Sequence, residues 1–188
     1  MPPALLTREE VLDRLLDTFR QHGYDGASLS DLSQATGLVK ASLYHHFPGG
    51  KTEMAVQVLA HLDRALGDHL YAPLRTNMSP ARKLSAMIDA VDAFYDGGRK
   101  ACLLERLTAS VDRSSFRRPL KRAFGAWIEA VETVCREAGL PAAQARAHAE
   151  DFVIRVEGAL IVCAATGDTD VFERTLSSLR RTVLASEA

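Results

Sequence analysis

Long apolar runs are missing from this sequence. None approaches the ~18 residues that a membrane-crossing helix requires. The opening Met1-Pro2-Pro3-Ala4-Leu5-Leu6 is too short for a signal peptide. Cysteine is scarce too. Cys102, Cys135 and Cys163 are odd in number and widely spaced, with no metal-type or redox-type pattern. Buried free thiols in a reducing cytoplasm are the expectation, with no cofactor and no metal. Aromatics make up only 6% of the residues, while alanine and leucine are frequent, so helix formers outweigh strand formers. Charge of one sign is not in excess either: the formal net charge is -1, which does not advertise a nucleic-acid binder.

What is present is helical periodicity. Thr7-Arg8-Glu9-Glu10 is a capping box, and Val11, Leu12, Leu15, Leu16 and Phe19 follow on one face until Gly23 stops the helix. Ser28-Leu29-Ser30-Asp31 repeats the cap, and Gly37 ends that short helix. A second short helix runs from about Lys40 to Phe47. Pro48-Gly49-Gly50 breaks the pattern. A long helix then runs from Lys51 to about Tyr71. Further helices are expected after Ser79-Pro80, over about Ala101 to Ser110, from about Ser115 to Gly139, from Pro141 to near Gly167, and from Asp170 through Leu176, Leu179 and Val183. No strand alternation and no repeats occur. The expected fold is all-α with about nine helices. Residues 1–52 form a three-helix N-terminal domain, the helix over 51–71 continues it, and residues 53–188 form a second domain.

The stretch that carries chemistry is 28–47. Two short helices around a tight turn fit a helix-turn-helix, whose second helix lies in the DNA major groove. Lys40, Ser42, Tyr44 and His45 face outward and can donate to phosphates or base edges, while Leu43 and Phe47 face inward. Residues 1–31 sum to -3, but 32–51 hold Lys40 and Lys51 and no acid. The candidate DNA face is therefore locally positive, and local groups decide docking.

Ser28-Leu29-Ser30-Asp31-Leu32, then Gly37 through Phe47 with its Leu-Tyr-His-His-Phe string, then Lys51, resembles the DNA-binding domain of the tetracycline-repressor (TetR) family of bacterial regulators. The resemblance covers about residues 7–55. It implies an N-terminal helix-turn-helix and a C-terminal effector-binding and dimerisation domain. It implies that Ser28 meets a phosphate, that Lys40, Ala41 and Ser42 lie nearest the bases, that Tyr44 and His45 hold phosphates, and that Lys51 meets another. It also implies a homodimer through the last two helices. Val39 departs from the pattern, since the family commonly has Ser or Thr there. A hydroxyl cap is worth ~1 kcal/mol, so this helix is less ordered without DNA.

Other readings compete. Gly49-Gly50-Lys51-Thr52 lacks the glycine and the preceding strand of a phosphate-binding loop. His45 and His46 point about 100° apart on a helix, and His61, Asp68 and His69 have no second cluster to complete a metal site. The basic residues from Arg99 to Arg122 are either an anion site or a solvated face, and the solvated face is favoured. Met87, Val91, Phe94, Tyr95, Leu104, Leu107, Phe124, Trp127 and Ile128 either line an apolar effector pocket or fill a core. Ala142, Ala143, Ala145, Ala147, Ala149, Gly158, Ala159, Ala164 and Ala165 permit close helix approach, across a dimer interface or within one chain.

The reading is a dimeric transcriptional regulator, a repressor on a palindromic operator, answering to a small-molecule effector. The rivals are a helical interaction module that contacts protein, and a small helical enzyme. The enzyme would need convergent nucleophile, base and stabilising groups, and no such constellation appears.

Overall fold

A computed structural model describes residues 6–185, with the side chains of all but residue 113 and residues 182–185. The Val183 side chain and the residues before Leu6 therefore lie outside the described set. Among the described residues there are nine α-helices and one 3-10 turn, and no strand. In chain order the helices are α1 (Arg8–Gly26), α2 (Leu29–Thr36), α3 (Lys40–His46), α4 (Gly50–His69), α5 (Pro80–Phe94), α6 (Leu103–Thr108), α7 (Arg113–Glu137), α8 (Ala142–Thr166) and α9 (Asp170–Ala185). The 3-10 turn, Ala72–Arg75, was not expected from the spacing.

The caps behave as their chemistry dictates. The Thr7 hydroxyl accepts from Glu10 N, and the Glu10 carboxylate accepts from Thr7 N at 2.7 Å. Ser28 and Asp31 repeat this at the start of α2, at 3.2 and 2.8 Å. These bonds hold both carboxyls below their ordinary values of 4.5 and 3.8, led by the Thr7 backbone N–H for Glu10 and by the Ser28 side chain for Asp31. A lowered folded-state pKa contributes stability that is present above the ordinary value and lost as pH falls through the lowered one. The melting temperature is thus expected to hold from neutral pH to about pH 5 and to fall below it. Ser28→Ala should flatten part of that acid limb in a melting series against pH; an unchanged limb would remove the cap from the account.

Gly23 does leave the helical conformation, with φ 68°, but a further turn carries α1 to Gly26 before Ala27 donates back to Gly23 O. The stop is therefore a kink three residues before the end. Gly37, in the left-handed conformation at φ 69°, closes α2 as expected. In α7 the buried residues are Phe116, Leu120, Ala123, Trp127, Val131, Val134 and Cys135, while Phe124 and Ile128 are half-buried.

Two compact units emerge. One holds the chain as far as Arg64 together with Leu103–Leu120; the other holds Ala65–Cys102 and the chain from Lys121 onward. In the first unit α1 packs on α2 and α6, and α2 on α3. In the second, α9 packs on α5 and α8, and the 3-10 turn packs on α5. There Lys83 is buried and donates to Glu137 at 2.6 Å, a pairing that joins α5 to α7. Among the described residues no helix is long and apolar enough to cross a membrane.

Candidate nucleic-acid interface

Seven residues are too few for a helix to persist alone in water. α3 is held from behind: Leu43 and Phe47 are both 0% exposed. The turn before it is tied by side chains. Thr36, fully buried, donates to Leu32 O at 2.7 Å, and Ser33 donates to Leu38 O at 2.6 Å. The turn after it is closed by Gly50 N donating to Phe47 O at 2.8 Å and Gly49 N donating to the Glu53 carboxylate at 2.6 Å.

With its back anchored, α3 exposes Lys40, Ala41, Tyr44, His45 and His46, with Ser42 half-buried. The structure therefore leaves the sequence-selected residues of α3 exposed or half-buried around the anchored Leu43 and Phe47. The His45 and His46 rings lie 5.8 Å apart, edge to face. Among the described residues no group of three or more His, Cys, Asp or Glu could hold a metal ion. Ser28 is exposed, and its Oγ accepts from Asp31 N.

Lys51 stands at the start of α4. Its ammonium lies 3.4 Å from Asp25 O and 4.6 Å from the centre of the Tyr24 ring. Tyr24 reaches further. Its hydroxyl bonds the Thr52 hydroxyl at 2.8 Å, and its ring meets Phe116 edge to face at 4.9 Å. The Asp25 carboxylate accepts from Val111 N at 2.9 Å. Tyr24 and Asp25 thus join the start of α4 to the segment after α6. Sequence reasoning missed both, along with Ser33, Thr36 and Glu53. The only sequence signal for Tyr24 was an aromatic directly after the stop glycine.

The residues proposed for an effector pocket distribute unevenly. Met87, Val91, Tyr95 and Trp127 are buried in the second unit, and Phe94, Phe124 and Ile128 are half-buried there. Leu104 and Leu107 are buried in the first unit. The Trp127 indole N–H is fully buried and meets no acceptor among the described residues. Of the basic cluster, Arg117, Arg118, Lys121 and Arg122 are exposed, and Arg99 pairs with Asp96 at 3.0 Å. Cys102, Cys135 and Cys163 are buried, the Cys102 sulfur accepting from the Tyr95 hydroxyl at 3.4 Å, and burial pushes the Cys135 thiol up.

Comparison with known proteins bears on the whole chain. The profile of "Bacterial regulatory proteins, tetR family" matches residues 11–58. That of "Transcriptional regulator LmrA/YxaF-like, C-terminal domain" matches residues 80–177, more than half of the chain. The HTH-type transcriptional regulator LmrA of Bacillus subtilis (strain 168) is 23% identical over 161 residues, 83% of this chain and 85% of that protein. A TetR transcriptional regulator from Legionella pneumophila shares the fold with a TM-score of 0.84 at 24% identity, covering 96% of this chain and 98% of that one. A cysteine mutant of the TetR family regulator CifR, complexed with 26-bp double-strand operator DNA, matches with a TM-score of 0.77 at 25% identity over 98% of this chain and 99% of that one. The two matching profiles describe regulators of transcription, not enzymes. The chain belongs to the TetR family of bacterial regulatory proteins, with a C-terminal domain of the LmrA/YxaF-like type.

Proposed function

We propose that the chain is a dimeric, ligand-responsive repressor that grips a palindromic operator through α2, α3 and the start of α4. The observation that carries this is the anchored short helix α3, apolar behind and polar in front. Residues 1–52 are the DNA-reading part and 53–188 the effector and dimer part. Lys40, Ala41 and Ser42 read base edges; Ser28, Tyr44, His45 and Lys51 hold phosphates. A CifR mutant has been solved with operator DNA, which supports carrying the same partner to this chain.

A second copy fits against α8. Ile154 (67% exposed), Ile161 and Val162 stand out from it beside exposed Gly158 and Ala165. That is an apolar stripe at helical spacing on the side away from Phe152, Val153, Val156 and Cys163. Of the small residues, Ala145, Ala149 and Ala159 are buried within the chain, and the others are exposed. The facing positions Glu173, Arg174, Ser177 and Arg181 make the α9 part of that interface polar.

The effector occupies the second unit, in the region of Met87, Val91, Phe94, Tyr95, Phe124, Trp127 and Ile128. A buried indole N–H ordinarily finds an acceptor, so the effector offers one to Trp127. Regulation is a population shift, driven only by the effector's differential affinity for two states. Displacing the segment after α6 would act on Tyr24 and Asp25, and through them on the start of α4. Major-groove faces recur about 34–36 Å apart, so a changed spacing of the two α3 helices costs contacts in both half-sites.

Selection from a random duplex library tests the reading: enrichment of a two-fold-related site is expected, and no enrichment would overturn it. On the selected site, Lys51→Ala should weaken binding on all sequences alike and reduce the slope of log affinity against log salt by about one. An unchanged slope would remove the phosphate role of Lys51.

A further inference from the structure

Val39 is the residue before α3, at its N-cap, with φ -65° and ψ 154°. It makes no side-chain cap bond, and its side chain is 67% exposed. Its side chain therefore contributes neither to the cap nor to the core. A hydroxyl or carboxamide at this position would satisfy a free amide of the first turn. An isopropyl group cannot, and it cannot bond a phosphate. Yet it stands where the first residues of a recognition helix meet base edges. The major groove presents one apolar group among its donors and acceptors, the C5 methyl of thymine. Ala41, exposed two residues on, keeps this end of α3 apolar beside Lys40.

We propose that Val39 is a specificity-determining residue whose exposed isopropyl group packs on a thymine methyl in each operator half-site. The inference rests on the DNA reading above and adds to it one defined base preference. The substitution at the cap gives up helix stability and gains a contact that only a thymine supplies.

The test uses the full-length protein and the duplex it selects. Each thymine of the half-site is replaced singly, in both half-sites, by deoxyuridine, which removes only the methyl group. At one thymine position the wild-type protein should lose about fourfold in affinity per half-site, the value of one buried methyl-sized group. Val39→Ser should bind the thymine and deoxyuridine duplexes equally, and Val39→Ile should retain the discrimination. Because Val39 is exposed and a serine restores a cap, Val39→Ser should melt at or above the wild-type temperature. A merely structural role would move the melting temperature and leave the thymine preference intact. If no thymine shows a methyl penalty in the wild type, or if Val39→Ser keeps the same penalty, the inference is overturned while the DNA reading stands. If no duplex is selected at all, both fall together.

Discussion

Phe47→Ala is expected to destabilise the protein by about 3–5 kcal/mol and to remove operator binding at concentrations where the wild type is saturated. Phe47 is fully buried, and the Arg8 guanidinium lies 5.4 Å from its ring centre. Its backbone is equally committed: its N–H donates to Leu43 O and its carbonyl accepts from Gly50 N, both at 2.8 Å. The residue is thus the joint between α3 and α4 in side chain and main chain alike. Removing the ring leaves a cavity under a seven-residue helix that is too short to stay folded without its tertiary anchors. Typical domains hold only about 5–15 kcal/mol in total, so the loss should lower the melting temperature by roughly 10 °C. The affinity loss should exceed what global unfolding accounts for, because a frayed α3 taxes binding by the fraction of molecules in which it is formed. Calorimetry and an operator titration on the same sample check both parts. Wild-type affinity in a folded Phe47→Ala protein would mean that α3 does not depend on this anchor.

Gly98→Ala should cost about 3 kcal/mol, and Gly97→Ala only about 1 kcal/mol, although both glycines are left-handed. The turn after α5 has three successive positive φ angles, Asp96 at 51°, Gly97 at 62° and Gly98 at 86°. Any side chain at 97 or 98 pays the left-handed strain. At 97 an added Cβ meets only the guanidinium end of Arg99, no nearer than 3.7 Å, and that exposed group can move. At 98 it would come within 2.8 Å of Phe172 Cβ and 3.1 Å of Cγ. Phe172 is fully buried on α9 and cannot retreat. The difference between the two variants therefore isolates the contact of this turn with α9. Denaturant titrations of both should separate their midpoints; coincident midpoints would assign the whole cost to backbone strain.

The helix-turn-helix was legible in the amino-acid order because its signals are local. Caps at Thr7 and Ser28 act over three residues, Gly37 acts on its own φ, and the inward Leu43 and Phe47 are four residues apart, about one turn. For the same reason the run of helices could be read to within a few residues at most ends. Phe124 and Ile128, read as lining a pocket or filling a core, are only half-buried, because tertiary packing decides where an apolar stripe ends.

Contacts between residues far apart in sequence leave no such trace. Nothing near Tyr24 announces that its ring meets Phe116, nor near Asp25 that it takes the N–H of Val111, because each partner lies more than 80 positions away. Lys83 looks like any solvated lysine until α7 brings Glu137 to it. Sequence alone therefore determined the helices, their caps and the outward face of α3, since those depend on neighbours a few residues away. Tertiary structure alone decided that residues 103–120 join the first unit and that Lys51 rests on Tyr24, since those contacts exist only after the chain has closed on itself.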